Sequence, residues 1–165
     1  MEGGSSYDQG LSIVMITRVK SLPDSHASPE AKTTCAKPRV LLADDHCSWL
    51  DRVTSLLKAD FDLIGMANDG QTLVGEAKRL QPDLIVLDIT MPILNGIEAA
   101  HDIHENVPDI KLVFLTVHEE REYIRACFAE GGLAYVKKSR IRTDLIPAIH
   151  EALLGRTFIS PSLAR

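Results

Sequence analysis

From Arg39 onward, short apolar runs alternate with longer amphipathic stretches, and no other feature constrains the fold as tightly. The runs lie at 39–43, 62–66, 84–88, 111–116 and 133–136, and segments with helical spacing lie at 47–58, 70–80, 95–106, 119–129 and 143–154. Strands separated by helical stretches of this length form βαβ units and a parallel sheet. Right-handed crossovers then place helices on both faces. Pro82 and Pro108 stand ahead of the third and fourth strands, as expected after a helix stop. Gly131-Gly132 supplies the left-handed conformation that ends the fourth helix. Leu145, Ile146, Ile149 and Leu153 recur at helical spacing and form a core-facing stripe.

The chemistry sits where the apolar runs stop. Leu84-Ile85-Val86-Leu87 ends in Asp88, followed by the turn segment Ile89-Thr90-Met91-Pro92-Ile93-Leu94-Asn95-Gly96. Val40-Leu41-Leu42-Ala43 ends in Asp44-Asp45, Leu112-Val113-Phe114-Leu115 ends in Thr116, and Ala134-Tyr135-Val136 leads into Lys137-Lys138. Open α/β sheets carry their sites at the C-terminal ends of the strands. One rim is thus expected to gather three acids, a hydroxyl and an ammonium, a set suited to a metal ion and a phosphoryl group.

At these residues the chain resembles the receiver domain of two-component response regulators. The resemblance covers roughly residues 38–160 and rests on the acid pair Asp44-Asp45, the segment from Asp88 to Gly96, the Leu115-Thr116 strand end, and an aromatic followed three residues later by lysine. It implies a flavodoxin-like (βα)5 doubly wound parallel sheet of strand order 2-1-3-4-5, an arrangement for which a chemotaxis receiver is a standard illustration. It implies that Asp88 accepts a phosphoryl group from the phosphohistidine of a histidine kinase or phosphotransfer protein. Asp44, Asp45, Asp88 and the carbonyl of Thr90 would hold Mg²⁺. Lys138, chosen over Lys137 by its spacing from Tyr135, and Thr116 would bind phosphoryl oxygens, and Thr116 with Tyr135 would form the switch.

Elementary electrostatics agrees with that assignment. At ~5 Å and an effective dielectric near 20, each pair of like charges costs on the order of 3 kcal/mol. Three clustered acids receiving a phosphoryl group therefore call for a divalent cation, and Mg²⁺ is the hard, oxygen-seeking choice. Other readings stand beside these. Asp44-Asp45 also suits the N-cap of the 47–58 helix, Tyr135 has the lesser alternative of a half-buried edge-strand tyrosine, and Lys137 reads as a charge discouraging edge pairing of the last strand. Trp49, Leu50 and Cys47 read as packing of the first helix. His46, His101, His104, His118 and His150 show no ligand-like spacing, although His118 lies near the rim.

Composition bounds the rest. With 45% apolar and 25% charged residues this is an ordinary globular chain, without a run long enough to span a membrane or a secretory leader. Three widely spaced cysteines point to reduced thiols and a cytoplasmic location. Residues 1–38 hold four bases and four acids, so the net charge of −5 falls entirely on 39–165. An acidic domain does not attract a phosphate backbone, and no nucleic-acid contact is expected from this chain alone. Residues 1–37, rich in Gly, Ser, Pro and Thr, read as a flexible extension, 38–160 as the receiver and 161–165 as a tail. The stretch from Tyr135 to Pro161 resembles the end of NarL-type receivers, in which a helix-turn-helix output domain follows; that domain needs about 50 residues more. The expected function is a response regulator that signals to an output protein, or through a phosphorylation-dependent homodimer. A receiver fragment of a DNA-binding regulator and a phosphorylation-independent scaffold are the alternatives. A phosphohydrolase would carry a second acid at position 90, which is threonine.

Overall fold

The computed structural model describes residues 36–163. The flexible extension read over 1–37 falls almost wholly outside these residues, as do positions 164 and 165. Six strands make one parallel sheet in the order β2-β1-β3-β4-β5-β6. They are β1 (Arg39–Ala43), β2 (Asp62–Ala67), β3 (Leu84–Leu87), β4 (Lys111–Thr116), β5 (Gly132–Lys137) and β6 (Phe158–Ile159). The helices between them are α1 (Cys47–Leu57), α2 (Gly70–Leu80), α3 (Gly96–Asn106), α4 (Arg121–Ala129) and α5 (Ile141–Leu153). The expected flavodoxin-like order is present, extended by one strand.

Successive strand residues face opposite sides of a sheet, and this period divides the core in two. Val40, Leu42, Leu84, Val86, Val113, Leu115, Ala134 and Val136 pack with residues of α1 and α5. Leu41, Ala43, Ile85, Leu87, Leu112, Phe114 and Tyr135 pack with residues of α2, α3 and α4. Because helices cover both faces, the central strands read as unbroken apolar runs. In α5, Leu145 and Ile149 are fully buried while Ile146 and Leu153 lie at the margin of the core.

Local signals set the helix ends. The Asn95 side chain accepts from Ile97 and Glu98 N–H while the Glu98 carboxylate takes the Asn95 N–H, a complete capping box at the start of α3. Asp69 caps α2 through the Thr72 N–H. The N-cap of α1 is His46, without a side-chain cap. The Asp44 carboxylate instead accepts the His46 N–H at 2.9 Å.

The sixth strand corrects one reading. β5 is not the sheet edge, because β6 pairs along it with Ala134 opposite Phe158 and Tyr135 opposite Ile159. The Ser160 N–H donates to Tyr135 O (2.9 Å), and the Ser160 hydroxyl accepts from Lys137 N–H (3.1 Å) and donates to Asp144 Oδ2 (2.8 Å). Lys137 therefore does not guard an open edge, and its ammonium pairs with Glu119. A strand of two residues is too short to carry a periodic signal. Leu163, assigned to the tail, donates its N–H to Ser160 O and packs against the core.

Candidate functional site

The predicted rim residues stand at the C-terminal ends of β1, β3, β4 and β5. Asp88 lies one residue beyond β3, and its N–H donates to Ala43 O at 2.9 Å. Asp44 lies one residue beyond β1, and its N–H donates to Ala67 O at 3.1 Å. These ladder bonds hold the two carboxylates side by side at the sheet's end. Both acids are buried, as are Thr116 and Lys138.

Lys138 joins them. Its Nζ is 2.6 Å from Asp44 Oδ2 and 2.8 Å from Asp88 Oδ2, and no other lysine reaches either acid among the described residues. Asp88 Oδ1 accepts the Ile89 N–H at 2.7 Å. A carboxylate and an ammonium shut away from water are costly unless paired, and here one ammonium serves two carboxylates. Lys137, one residue earlier, points elsewhere, so Lys138 is the lysine of the pocket. Trp49 roofs it: the ring centroid is 5.1 Å from Lys138 Nζ and 5.2 Å from Arg52 Cζ, within cation–π range of both. The expectation that Trp49 merely packs α1 missed this contact.

The turn after Asp88 depends on a close approach. Gly96 N–H donates to Ile89 O at 2.8 Å, and a Cβ at Gly96 would lie 2.0 Å from Asp88 O. No side chain fits there, which gives the Asn95-Gly96 pair its physical reason.

His118 organises the other side of the rim. Its Nε2 is 2.9 Å from Thr90 Oγ1, its N–H donates to Thr116 Oγ1 at 3.4 Å, and its ring stacks on Tyr123 at 4.2 Å. The Tyr135 hydroxyl donates to His118 O at 3.1 Å. Burial, followed by nearby ionisable groups, pushes the Tyr135 phenol up, so it remains a donor. Tyr135 is fully buried. The reading of a half-buried tyrosine is therefore corrected: the ring is already inside the core.

The three carboxylates read as oxygen ligands stand at one rim. Asp44 and Asp45 converge with His46, their donor atoms all lying within 4.8 Å of one another. Asp88, like Asp44, is paired with Lys138, and its Oδ1 accepts from the Ile89 N–H. The donor set still fits a hard divalent cation: three carboxylates stand against one ammonium, so the pocket is short of positive charge and Lys138 marks where a cation is drawn. His46 carried no ligand signal by spacing to other histidines, but its adjacency to the acid pair was the available clue.

A parallel sheet of this order, with acids and a buried lysine along its C-terminal rim, defines the flavodoxin-like class. Residues 40–150 match the response regulator receiver domain, and the chain belongs to that family. It is 33% identical over 130 residues to the response regulator GacA of Pseudomonas viridiflava, covering 77% of this chain and 60% of that protein. It is 36% identical over 121 residues to the uncharacterized transcriptional regulatory protein YxjL of Bacillus subtilis, covering 72% and 56%. The chain thus spans little more than half the length of these relatives. A LuxR-family two-component response regulator from Aurantimonas superposes with a TM-score of 0.75 at 27% identity, over 78% of this chain and 94% of that one. The receiver domain of RcsB from Salmonella enterica, solved with the phosphomimetic BeF3⁻, shares the fold with a TM-score of 0.72 at 23% identity, over 78% and 97%. Among the described residues no helix is long and apolar enough to cross a membrane.

Proposed function

We propose that this receiver takes a phosphoryl group onto Asp88 from the phosphohistidine of a kinase or phosphotransfer protein in the cytoplasm. The observation that carries the reading is Lys138, buried with its Nζ within 2.8 Å of Asp88 Oδ2 and 2.6 Å of Asp44 Oδ2. A carboxylate oxygen of Asp88 forms the new P–O bond as the P–N bond to imidazole breaks, and the imidazole nitrogen takes up a proton. Asp44, Asp45, Asp88 and the Thr90 carbonyl would hold Mg²⁺, which would supply positive charge for the incoming group. Lys138 exchanges part of its contact with Asp88 for a phosphoryl oxygen, as a compact point charge. The buried Thr116 hydroxyl donates to another. Because Thr116, His118 and Tyr135 are already hydrogen-bonded together, that donation pulls on the segment ahead of α4. Output then runs through α4, β5 and α5 to a protein partner or a second copy of the chain. The chain assists its own phosphorylation and is not a turnover enzyme.

A small acyl-phosphate donor with Mg²⁺ should add one phosphoryl group by intact mass. Asp88→Asn, or excess chelator, should abolish the addition. Labelling that persists in the variant would remove Asp88 from its role. A second reading, that these residues are the receiver portion of a DNA-binding regulator, is favoured by relatives named as transcriptional regulatory proteins, of which the chain spans 55–56%.

A further inference from the structure

We infer that His46 is a metal ligand of the acidic pocket, and that its imidazole raises the pocket's affinity for borderline divalent ions relative to Mg²⁺. The inference rests on the reading that Asp44 and Asp45 hold a divalent cation. It adds a residue, and a selectivity, which that reading leaves out.

Three observations carry it. The first is donor spacing. His46 Nδ1 lies 2.6 Å from Asp45 Oδ1 and 3.5 Å from Asp44 Oδ1. Two ligands about 2.1 Å from one ion and at right angles to each other stand about 3 Å apart, and the two distances straddle that value. The second is the division of partners. Lys138 engages Asp44 and Asp88 through their Oδ2 atoms, and Asp88 Oδ1 is taken by the Ile89 N–H. The Oδ1 atoms of Asp44 and Asp45 are the ones turned to His46. An ion seated there is added to the lysine instead of displacing it. The third is anchoring with access. The His46 N–H donates to Asp44 Oδ1, and the residue is the N-cap of α1, so its backbone is pinned. Its side chain is 63% exposed, so an ion reaches it from water and keeps its remaining waters.

The selectivity follows from donor chemistry. Carboxylates alone suit Mg²⁺, whereas imidazole favours later first-row ions such as Co²⁺, Ni²⁺ and Zn²⁺. Replacing one water by imidazole therefore changes Co²⁺ binding much more than Mg²⁺ binding. The competing arrangement is an imidazolium simply ion-paired with Asp45, which repels every cation alike.

The test uses the full chain, whose single tryptophan stands beside the pocket. Co²⁺ is titrated at fixed pH by quenching of Trp49, alone and against Mg²⁺. His46→Ala should lower Co²⁺ affinity about tenfold, the scale on which groups around a metal act, and leave Mg²⁺ affinity within about twofold. Mg²⁺ should displace Co²⁺ from the wild type, and Asp44→Asn with Asp45→Asn should weaken both ions. If Mg²⁺ competes and depends on the acids while His46→Ala binds Co²⁺ as wild type does, the metal reading stands and the role of His46 is overturned. Tighter Co²⁺ and Mg²⁺ binding by His46→Ala would identify the imidazolium pair and also overturn it. If Mg²⁺ neither competes nor responds to the acids, the metal reading itself fails.

Discussion

At the scale of single residues, Lys138 is the point on which the pocket turns. Removing its ammonium leaves Asp44 and Asp88 buried without their shared counter-charge. Breaking a buried pair from one side costs more than the pair itself contributes, typically about 3 kcal/mol or more. Lys138→Met should therefore lower the unfolding free energy in chelator by about 3 kcal/mol, read from urea denaturation. Mg²⁺ should restore part of the loss, because an ion that binds only the folded state stabilises it by mass action. A variant with the wild-type midpoint, unresponsive to Mg²⁺, would mean the carboxylates are not held by this charge. Lys138 was identifiable through the receiver resemblance, whose spacing from the aromatic Tyr135 selects it over Lys137. The contact of Trp49 with Lys138 and those of His118 with Thr90 and Tyr135 were not, since each joins positions far apart in the chain.

At the scale of elements, the C-terminal strand is tied down by one buried acid. Asp144 lies in the first turn of α5 and accepts from Thr143 and from Ser160 beside β6. Burial pushes its carboxyl up, but the hydrogen bonds from Thr143 and Ser160 and the Arg140 charge outweigh that and hold it below its ordinary value of 3.8. A carboxyl lowered in the folded state adds stability above pH 3.8, and that stability is lost as pH falls through the folded value. Ser160→Ala removes one of these donors and leaves the Lys137 N–H without its acceptor. It should cost about 1–2 kcal/mol near neutral pH. The difference from wild type should narrow as pH falls below 3.8 and through the lowered folded value, since Asp144 is then protonated in both proteins. Urea midpoints across that range check it, and a gap that widens in acid would reverse the sign. The sequence contains both partners, Asp144 and Ser160, but shows nothing of their meeting.

At the scale of the whole molecule, charge limits what the receiver touches. The net charge of −5 lies on residues 39–165. A gel shift at low salt, which exaggerates electrostatic binding, should show no complex with duplex DNA at micromolar protein. Salt-sensitive binding below micromolar would assign residues 1–38, which carry no net charge, an active part. The two core layers explain why the rim is rigid enough for chemistry. Every central strand is packed on both faces, so its end cannot shift without opening one of them.

Local patterns in the chain were enough for five strands, a parallel sheet and the polar positions at its C-terminal rim: apolar runs of strand length, helical spacing, and polar residues where a run stops. The strand order through β5 came with the receiver resemblance, not with those patterns. Which atoms meet was settled by the folded chain. It put Lys138 between Asp44 and Asp88, His118 against Thr90 and Tyr135, and β6 along β5. These contacts follow from rotamers and crossovers that bring distant residues to hydrogen-bond distance, and no local period in the chain encodes a distance across the sheet.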